Sequence, residues 1–199
     1  AELKKGDNVL IMGAAGGLGI AAIHVAKAMG ANVIAAASSN EKLDLCKQQG
    51  ADSTVLYSRD NMDRDSQKNF SSELKALTNN KGVDVVFDPV GGAYSEPALR
   101  AIAWKGRYLV IGFTSSIPSI PLNLALLKGC QIIGVFWGAF CMREPNINNE
   151  NFHQLFLMYE KGQIKPFVTE TFPLEQTAEA INKLANRNAI GKITISVID

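Results

Sequence analysis

Short runs of β-branched and other apolar residues alternate with helical stretches from Asn8 to about Trp137. Most of these runs lack the polar alternation of a half-exposed strand, which indicates strands buried on both faces. The pattern predicts an α/β fold with a doubly wound, parallel, Rossmann-type sheet that carries helices on both faces. The six predicted strands begin at Asn8, Asn32, Ser53, Val83, Arg107 and Gln131, and they read NVLIM, NVIAAA, STVLY, VDVVFD, RYLVIGF and QIIGVFW.

Four helices are predicted between these strands, over residues 17–29, 40–49, 66–78 and 94–104. Gly30 and Gly50 follow the first two helices as natural helix stops. The stretch 115–121 contains two prolines and predicts a loop over the carboxyl edge of the sheet.

The C-terminal part of the sequence has a different pattern. Residues 146–151 are polar without an apolar period and predict an exposed turn. They are followed by a predicted helix over 152–161, a strand over 166–172, a helix over 174–186 and a strand from Lys192. We therefore predict a doubly wound domain over residues 1–146 and a small α+β tail over residues 147–199.

Composition and charge narrow the range of partners. The 199 residues include 20 Lys and Arg against 19 Asp and Glu, and because the cations form no basic stripe, we expect no nucleic-acid partner. No apolar run approaches the roughly 20 residues of a membrane helix, so no membrane partner is expected. Cys46, Cys130 and Cys141 match no zinc or redox spacing, which indicates reduced thiols and a cytoplasmic location. Because neither His24 nor His153 lies near a cysteine in sequence, we also expect no metal site.

A glycine-rich segment, GAAGGLG over residues 13–19, directly follows the first predicted strand and opens a helix. Bare backbone lets a pyrophosphate approach, and a helix N-terminus offers free N–H groups and partial positive charge. Ala14 stands where G-x-G-x-x-G has its first glycine, so the fingerprint is a variant. Strand, loop and helix in this order predict dinucleotide binding, and the alternative is a tight turn with close helix packing. The predicted pyrophosphate-binding residues are Ala14, Gly16, Gly17, Leu18 and Gly19.

The end of the second predicted strand bears on the choice of dinucleotide. NAD-binding folds usually place an acid there to hold the ribose hydroxyls, whereas this strand ends in alanines followed by Ser38 and Ser39. Hydroxyls and the nearby Lys42 would instead bind a 2′-phosphate. The alternative is local, because Ser38 and Glu41 have the spacing of a capping box and Lys42 could be a solvated helix residue.

These motifs together resemble one family over essentially the whole chain. The matching stretches are GDNVLIMGAAGGLGIAAIHVAKAMGANVIAAASSNEKL, GADSTVLY, GVDVVFDPVGG, YLVIGF, IPLNLALLKGCQIIGVFWGAF and NRNAIGKI. In order and spacing they resemble the zinc-independent, zeta-crystallin-like quinone oxidoreductases of the medium-chain dehydrogenase/reductase superfamily.

The resemblance implies NADPH as the cofactor and assigns further residues to its site. By position, Ser38, Lys42, Tyr57 and Arg187 match residues that hold the 2′-phosphate. Tyr57 could otherwise be a core aromatic and Arg187 a helix-end cap. Val90, in a loop opened by Asp88, matches the family's cofactor-facing loop, although Asp88 could simply cap a turn. The remaining implied contacts run along the nicotinamide half, at Gly112, Phe113, Thr114, Phe136 and Trp137.

The resemblance also implies an activity, the transfer of hydride from NADPH to a quinone or an α,β-unsaturated carbonyl. The family's N-terminal GroES-like domain has no counterpart in this sequence, and the tail resembles segments that complete that domain. We therefore expect no useful turnover by this chain alone and assign no catalytic residue. The alternatives are an enoyl reductase, free-standing or within a synthase, and a non-catalytic NADPH-binding structural or sensor protein.

The predicted edge strand over residues 131–137 suggests how two copies of the chain could associate. An unpaired apolar edge is a template for another chain. Related dehydrogenases pair this strand across a two-fold axis, so the resemblance implies a homodimer with a continuous sheet. The alternative is that the loop over residues 115–121 covers the edge.

Overall fold

The strands of a computed structural model, which describes residues 1–58, 63–186 and 188–197, confirm the predicted fold class. Six parallel strands form one sheet in the order β3-β2-β1-β4-β5-β6, and a separate two-stranded sheet joins β7 and β8. The strands are β1 (Asn8–Ile11), β2 (Asn32–Ala37), β3 (Ser53–Leu56), β4 (Val83–Asp88), β5 (Ile102–Val110), β6 (Gln131–Gly134), β7 (Val168–Pro173) and β8 (Lys192–Ser196). The chain order reverses between β1 and β4, which in such folds opens a ligand crevice at the carboxyl ends of the strands.

The helices follow the strands in alternation through most of the chain. They are α1 (Gly17–Ala28), α2 (Asn40–Gln48), α3 (Arg64–Leu77), α4 (Ser95–Arg100), α5 (Asn123–Lys128), α6 (Trp137–Arg143), α7 (Pro145–Glu160) and α8 (Thr177–Ala185). Short 3₁₀ turns precede α4 and α8. None of the helices within the described ranges is both long enough and apolar enough to cross a membrane.

The sheet separates two apolar cores, which is why its strands read as continuous apolar runs. Successive residues of β1 point to opposite faces, so Leu10 enters one core and Ile11 the other, each fully buried. Helices α3, α4 and α5 contribute Phe70, Leu99 and Leu124, among others, to the first core. Helices α1 and α2 cover the opposite face.

Several predicted boundaries were wrong, most of all around β5 and β6. The fourth helix ends at Arg100 rather than at 104, and β5 begins at Ile102, because the apolar residues there pair with β4 before a register shift. The sixth strand ends at Gly134, and Trp137 already begins α6.

The predicted turn over residues 146–151 was also wrong, because these residues form the first half of α7. Pro145 stands in the first turn of α7, where its missing N–H costs no hydrogen bond. No residue of α7 is buried, and its first half is polar, so no apolar period marks that half in the sequence. The predicted boundary at residue 146 falls in this first turn, and the division into two parts stays a prediction.

The tail packs directly against the glycine-rich loop. Strands β7 and β8 pair in parallel, and the backbone N–H of Gly191, just before β8, donates to the carbonyl of Ala15 at 2.7 Å. Gly16 and Gly191 also form an isolated parallel bridge. The tail therefore forms part of the surroundings of the strand ends.

Candidate cofactor site

A groove of about 270 Å³ opens at the carboxyl ends of β1, β2 and β4, where the strand order reverses. Seven of the predicted site residues line it: Gly16, Gly17, Ser38, Lys42, Tyr57, Val90 and Thr114. The groove has further lining residues that sequence reasoning did not select: Gly13, Ala15, Ala37, Tyr94, Ser115, Leu184, Ala189 and Gly191. The structure thus brings together the glycine loop, the end of β2 and the loop after β4.

The glycine loop holds its shape through backbone bonds to both neighbouring strands. The N–H of Met12 donates to Phe87 and that of Ala14 donates to Ala36, each at 3.0 Å. Helix α1 then begins with Gly16 as its N-cap, with no side-chain cap and no acid in its first turn. The first-turn N–H groups of a helix have no intrahelical partner, so this end of α1 offers donors and partial positive charge to an anion.

The glycines of the loop have different roles. A Cβ on Gly19 would lie 2.5 Å from the carbonyl oxygens of both Gly13 and Ala14, so Gly19 permits close packing of α1 on the loop. Among the described residues, a Cβ on Gly16 would meet only the Gly13 oxygen, at 3.5 Å, and Gly16 lines the groove. Of the other predicted loop residues, Ala14 is fully buried and Leu18 is exposed outside the groove.

The end of β2 forms the polar corner of the groove. Ser38, Lys42 and Tyr57 lie there, and the described lining residues include no carboxylate. Ser39 has a structural role instead, because its Oγ accepts from the Lys42 N–H at 3.4 Å and caps α2. The cap is therefore Ser39 rather than the Ser38–Glu41 box that the spacing allowed.

A second cation near the loop comes from the tail. A Cβ on Gly17 would lie 3.3 Å from Cδ of Lys192, so the Lys192 side chain passes beside the start of α1. Sequence reasoning missed this residue because its approach depends on the docking of the tail. Arg187, the other predicted tail cation, lies outside the described residues.

An aromatic wall closes the groove beside the polar corner. The rings of Tyr57 and Tyr94 are 4.5 Å apart, and Phe70 packs against Tyr94 at 5.4 Å. The Tyr94 hydroxyl donates to the carbonyl of Ser58. Burial, with the neighbouring Tyr57, raises the pKa of Tyr94 to about 12, so the hydroxyl stays protonated as a donor. Tyr57 is thus both part of the core and part of the groove.

Asp88 organises the loop after β4. Its side chain is 3% exposed, and Oδ1 accepts from the N–H groups of Val90 and Gly91 at 2.8 and 2.9 Å. Oδ2 accepts from the hydroxyls of Ser95, at 2.9 Å, and Tyr108. Burial and the charge of Asp88 raise the pKa of Tyr108 well above its usual value, which keeps that donor protonated. Asp88 caps the turn, as one interpretation of the sequence had it.

The loop held by Asp88 carries the following segment to the groove. The N–H of Ser115 donates to Val90 at 2.9 Å, and that of Thr114 donates to Pro89 at 3.3 Å. The N–H of Gly92 donates to Ser116 at 2.8 Å. These bonds place Val90, Thr114 and Ser115 in the lining.

Four predicted residues after β5 and β6 do not line this groove. Gly112 and Phe113 precede Thr114 in the loop. Phe136 is 78% exposed and Trp137 is 61% exposed, and the Trp137 indole N–H donates to Asn148. Their predicted contact with the nicotinamide stays a prediction. Within residues 1–58, 63–186 and 188–197, no group of three or more His, Cys, Asp or Glu side chains could hold a metal ion.

The sequence matches a known family over most of this architecture. Residues 17–155, from the start of α1 into α7, match the family described as zinc-binding dehydrogenases. The chain belongs to the zinc-binding dehydrogenase family. The resemblance to quinone oxidoreductase-like members of the medium-chain superfamily is confirmed by the relatives.

Several relatives of this zinc-binding dehydrogenase chain match over nearly all of it. A quinone oxidoreductase-like protein 2 homolog of Nematostella vectensis is 34% identical over 98% of the chain and 52% of its own length. Quinone oxidoreductase-like protein 2 of Bos taurus is 37% identical over 96% and 53%. An acryloyl-coenzyme A reductase of Sulfurisphaera tokodaii is 30% identical over 97% and 52%. The chain therefore spans about half the length of these relatives.

Solved structures also match nearly all of this chain and somewhat more than half of their own length. A mycobacterial protein complexed with NADPH has a TM-score of 0.87 and 25% identity, over 98% of this chain and 59% of that one. An NAD-dependent alcohol dehydrogenase has a TM-score of 0.81 and 33% identity, over 98% and 52%. These two similar structures carry different cofactor names, so similarity alone leaves NADPH and NADH both open.

Proposed function

We propose that this chain is the NADPH-binding part of an oxidoreductase that transfers hydride from NADPH to a quinone or an α,β-unsaturated carbonyl. The observation that carries the proposal is the polar corner of the groove. Lys42 and Ser38 lie there beside Tyr57, without a carboxylate among the described lining residues. A carboxylate would repel a 2′-phosphate, whereas an ammonium and hydroxyl groups bind it.

The groove fits a dinucleotide in its other parts as well. Gly16 leaves room for a pyrophosphate above the start of α1, and the α1 N-terminus with Lys192 supplies positive charge. Tyr57 and Tyr94 offer an apolar wall with hydroxyl tips. The bound nicotinamide supplies the hydride, while the residues of this chain bind and orient the cofactor.

The cofactor assignment can be tested by calorimetry. A charge-assisted hydrogen bond contributes roughly 1.5–3 kcal/mol, and exposure at the groove rim favours the lower end. Lys42→Ala should therefore weaken NADPH binding about tenfold and leave NADH binding nearly unchanged. Added salt should weaken NADPH binding more than NADH binding, because screening acts on the extra charge.

Lys47→Ala is the matched control for this experiment. Lys47 lies in the last turn of the same helix, α2, outside the groove, with its amino group 3.9 Å from the Asp44 carboxylate. Its replacement should leave both affinities unchanged. Equal losses for NADPH and NADH in Lys42→Ala would show that Lys42 does not recognise the 2′-phosphate.

The proposal also concerns the substrate side of the reaction. Transfer needs the substrate held within about 3–3.5 Å of the transferring atom, and we propose that the other half of the protein supplies that pocket. The chain alone should then show no useful turnover, whereas the full-length protein should oxidise NADPH with small quinones. Turnover by the chain alone at the rate of the full-length protein would contradict this division.

Zinc independence and a cytoplasmic location belong to the same proposal. They rest on the resemblance to the zinc-independent quinone oxidoreductases and on the cysteine pattern. Metal analysis of the full-length protein, together with its quinone-dependent activity, tests zinc independence. Stoichiometric zinc that activity requires would contradict it.

An enoyl reductase is the second candidate function. It is favoured by the 30% identity with an acryloyl-coenzyme A reductase, which extends over 97% of this chain. The two candidates differ in the electron acceptor, so NADPH oxidation by the full-length protein with acryloyl-coenzyme A and with a small quinone separates them. Activity with neither acceptor would instead favour a non-catalytic NADPH-binding protein.

We also propose a homodimer formed through β6. This strand pairs only with β5 in the described sheet, and it is followed by exposed Val135 and Phe136. Ser116, in the loop over residues 115–121, bridges Gly91 beyond β4, so this part of the loop lies at the β4 end rather than over the β6 edge. A monomeric mass by light scattering at tens of micromolar protein, by order of magnitude, would contradict the dimer.

A further inference from the structure

A second groove lies on the outer surface of α3, α4 and α5. Its volume is about 740 Å³, and none of its lining residues lines the cofactor groove. Phe70, Leu99 and Leu124 anchor the three helices to the first core, so the groove stands on a packed base. We call it the basic groove; its lining is Arg64, Gln67, Lys68, Ser71, Ser72, Lys75, Glu96, Arg100, Leu124, Leu127 and Lys128.

Positive charge is concentrated in the basic groove. Five of its described lining residues are cations and one is a carboxylate, although the whole chain carries a net charge of only +1. Arg100 forms an ion pair with Glu96 at 2.6 Å. The other four cations have no ion-pair partner among the residues that the structure describes. The Glu96 carboxylate is thus already paired with Arg100.

Two of these cations line the groove from different helices and lie close enough to repel each other. Lys75 comes from the last turn of α3 and Lys128 from the end of α5. Burial lowers the pKa of Lys128, and the positive charge of Lys75 lowers it further. Like charges held together in this way are destabilising unless an anion lies between them. An anion bound there would relieve the repulsion and gain charge-assisted hydrogen bonds.

The rest of the lining is suited to an organic anion. Ser72 is exposed in the groove and offers a hydroxyl donor. Leu127 is 68% exposed and forms an apolar wall beside Lys128. The volume lies within the range of about 300–1,000 Å³ that is typical of small-molecule sites.

We propose that the basic groove is a second ligand site, which binds the di- or triphosphate group of a small organic phosphate between Lys68, Lys75 and Lys128, with its apolar part against Leu127. The site is separate from the cofactor groove. It therefore does not depend on the proposed oxidoreductase function.

The test uses inorganic triphosphate and ATP as probes, with backbone amide NMR shifts to locate binding. Shift changes are expected in α3 and at the end of α5. Any changes at residues 16–19 would report binding in the cofactor groove instead. The double variant Lys75→Gln/Lys128→Gln should weaken triphosphate binding in the groove at least tenfold, by the loss of two charge-assisted contacts. Lys161→Gln, at the exposed lysine that follows α7, is the matched control and should change nothing.

Further variants separate this site from the cofactor groove and from other anions. Lys42→Ala should leave the shifts in α3 and α5 unchanged, and Leu127→Asn should weaken ATP but not inorganic triphosphate. Shifts confined to residues 16–19, or equal affinity in the wild type and the double variant, would overturn the proposal. Affinity for a single-stranded oligonucleotide that rises with its length would overturn the assignment to a small molecule.

Discussion

The two halves of the sheet contribute to the cofactor groove in different ways. In the half formed by β1, β2 and β3, backbone and side chains at the strand ends line the groove directly, through Gly16, Lys42 and Tyr57. In the half formed by β4, β5 and β6, the lining residues come from loops that Asp88 holds in place. The exposed Phe136 beyond β6 lies outside the groove.

The difference shows which groove residues are positioned by local structure and which need a distant hydrogen-bond partner. A tight strand–loop–helix turn fixes its residues through local packing, so their place follows from the order of elements alone. A residue after a long loop needs a particular hydrogen-bonded neighbour to bring it to the same edge. We therefore expect a side chain added at a glycine of the loop to destabilise the first half. We expect the loss of the buried Asp88 carboxylate to destabilise the second half.

The largest expected effect is at Gly19, where local packing is tightest. In Gly19→Ala the new Cβ would lie 2.5 Å from two backbone oxygens, so the loop or α1 must shift. Overpacking of this kind costs about 1–3 kcal/mol, and backbone contact on both sides favours the upper end. The free energy of unfolding, from denaturant titration, should fall by about 3 kcal/mol.

Gly134→Ala is the control for that substitution. A Cβ at Gly134, at the end of β6, would meet no atom of the described part of the chain within 4 Å. Its effect on the free energy of unfolding should stay within about 0.5 kcal/mol. Similar losses at Gly19 and Gly134 would show that close packing is not what Gly19 provides.

The next effect concerns Asp88 and the other half of the sheet. Asp88→Ala leaves the N–H groups of Val90 and Gly91 without their acceptor and removes the partner of the buried Tyr108 hydroxyl. An unsatisfied buried group costs about 1–3 kcal/mol, and water that enters the space of the lost carboxylate would satisfy some of these groups, so thermal or denaturant unfolding should show a loss of roughly 3 kcal/mol.

Tyr108→Phe separates the loop bonds from the core bond. It removes one donor to Asp88 and leaves the two loop bonds intact, so it should cost about 1 kcal/mol. If both variants were destabilised equally, Asp88 would act through Tyr108 and the core rather than through the loop.

A smaller effect, on binding rather than stability, is expected at Gly16. In Gly16→Ala the added Cβ meets one atom of the described residues, at 3.5 Å, so the fold should tolerate it. The methyl group stands where a pyrophosphate would approach α1. NADPH and NADH affinities, measured by calorimetry, should therefore fall together by about tenfold, or about 1.4 kcal/mol. A loss for one cofactor alone would contradict the assignment of Gly16 to their shared part.

Sequence reasoning succeeded where the signal is local and failed where it depends on contacts between distant segments. The strand–glycine–helix order of β1 and α1 was predicted because apolar runs and glycines mark it directly. Tyr94 was missed because it was placed inside a predicted helix. Gly191 was missed because it reaches Ala15 only through the docked tail.

The polar start of α7 illustrates a second limit. Asn146 and its neighbours contact no core, so no apolar period distinguishes their helix from a turn. The strand β5 illustrates a third, because the run from Ile102 is apolar enough for either a helix or a strand. Its pairing with Val83 decides in favour of the strand, and that pairing is a long-range contact.

The smallest expected effect is at Phe136, where the position in sequence and the position in the structure lead to different expectations. The resemblance places Phe136 near the nicotinamide, yet its side chain is 78% exposed and absent from the groove lining. Phe136→Ala should therefore change the NADPH affinity of this chain less than about twofold, since it removes no contact to the groove. Tyr57→Ala is the comparison variant, because Tyr57 lines the groove and packs on Tyr94, and it should weaken NADPH binding several-fold. The two affinities, measured by calorimetry at one salt concentration, decide between these expectations. If Phe136→Ala lost as much affinity as Tyr57→Ala, the cofactor would extend past β5 to the β6 end, and both halves of the sheet would bind it directly.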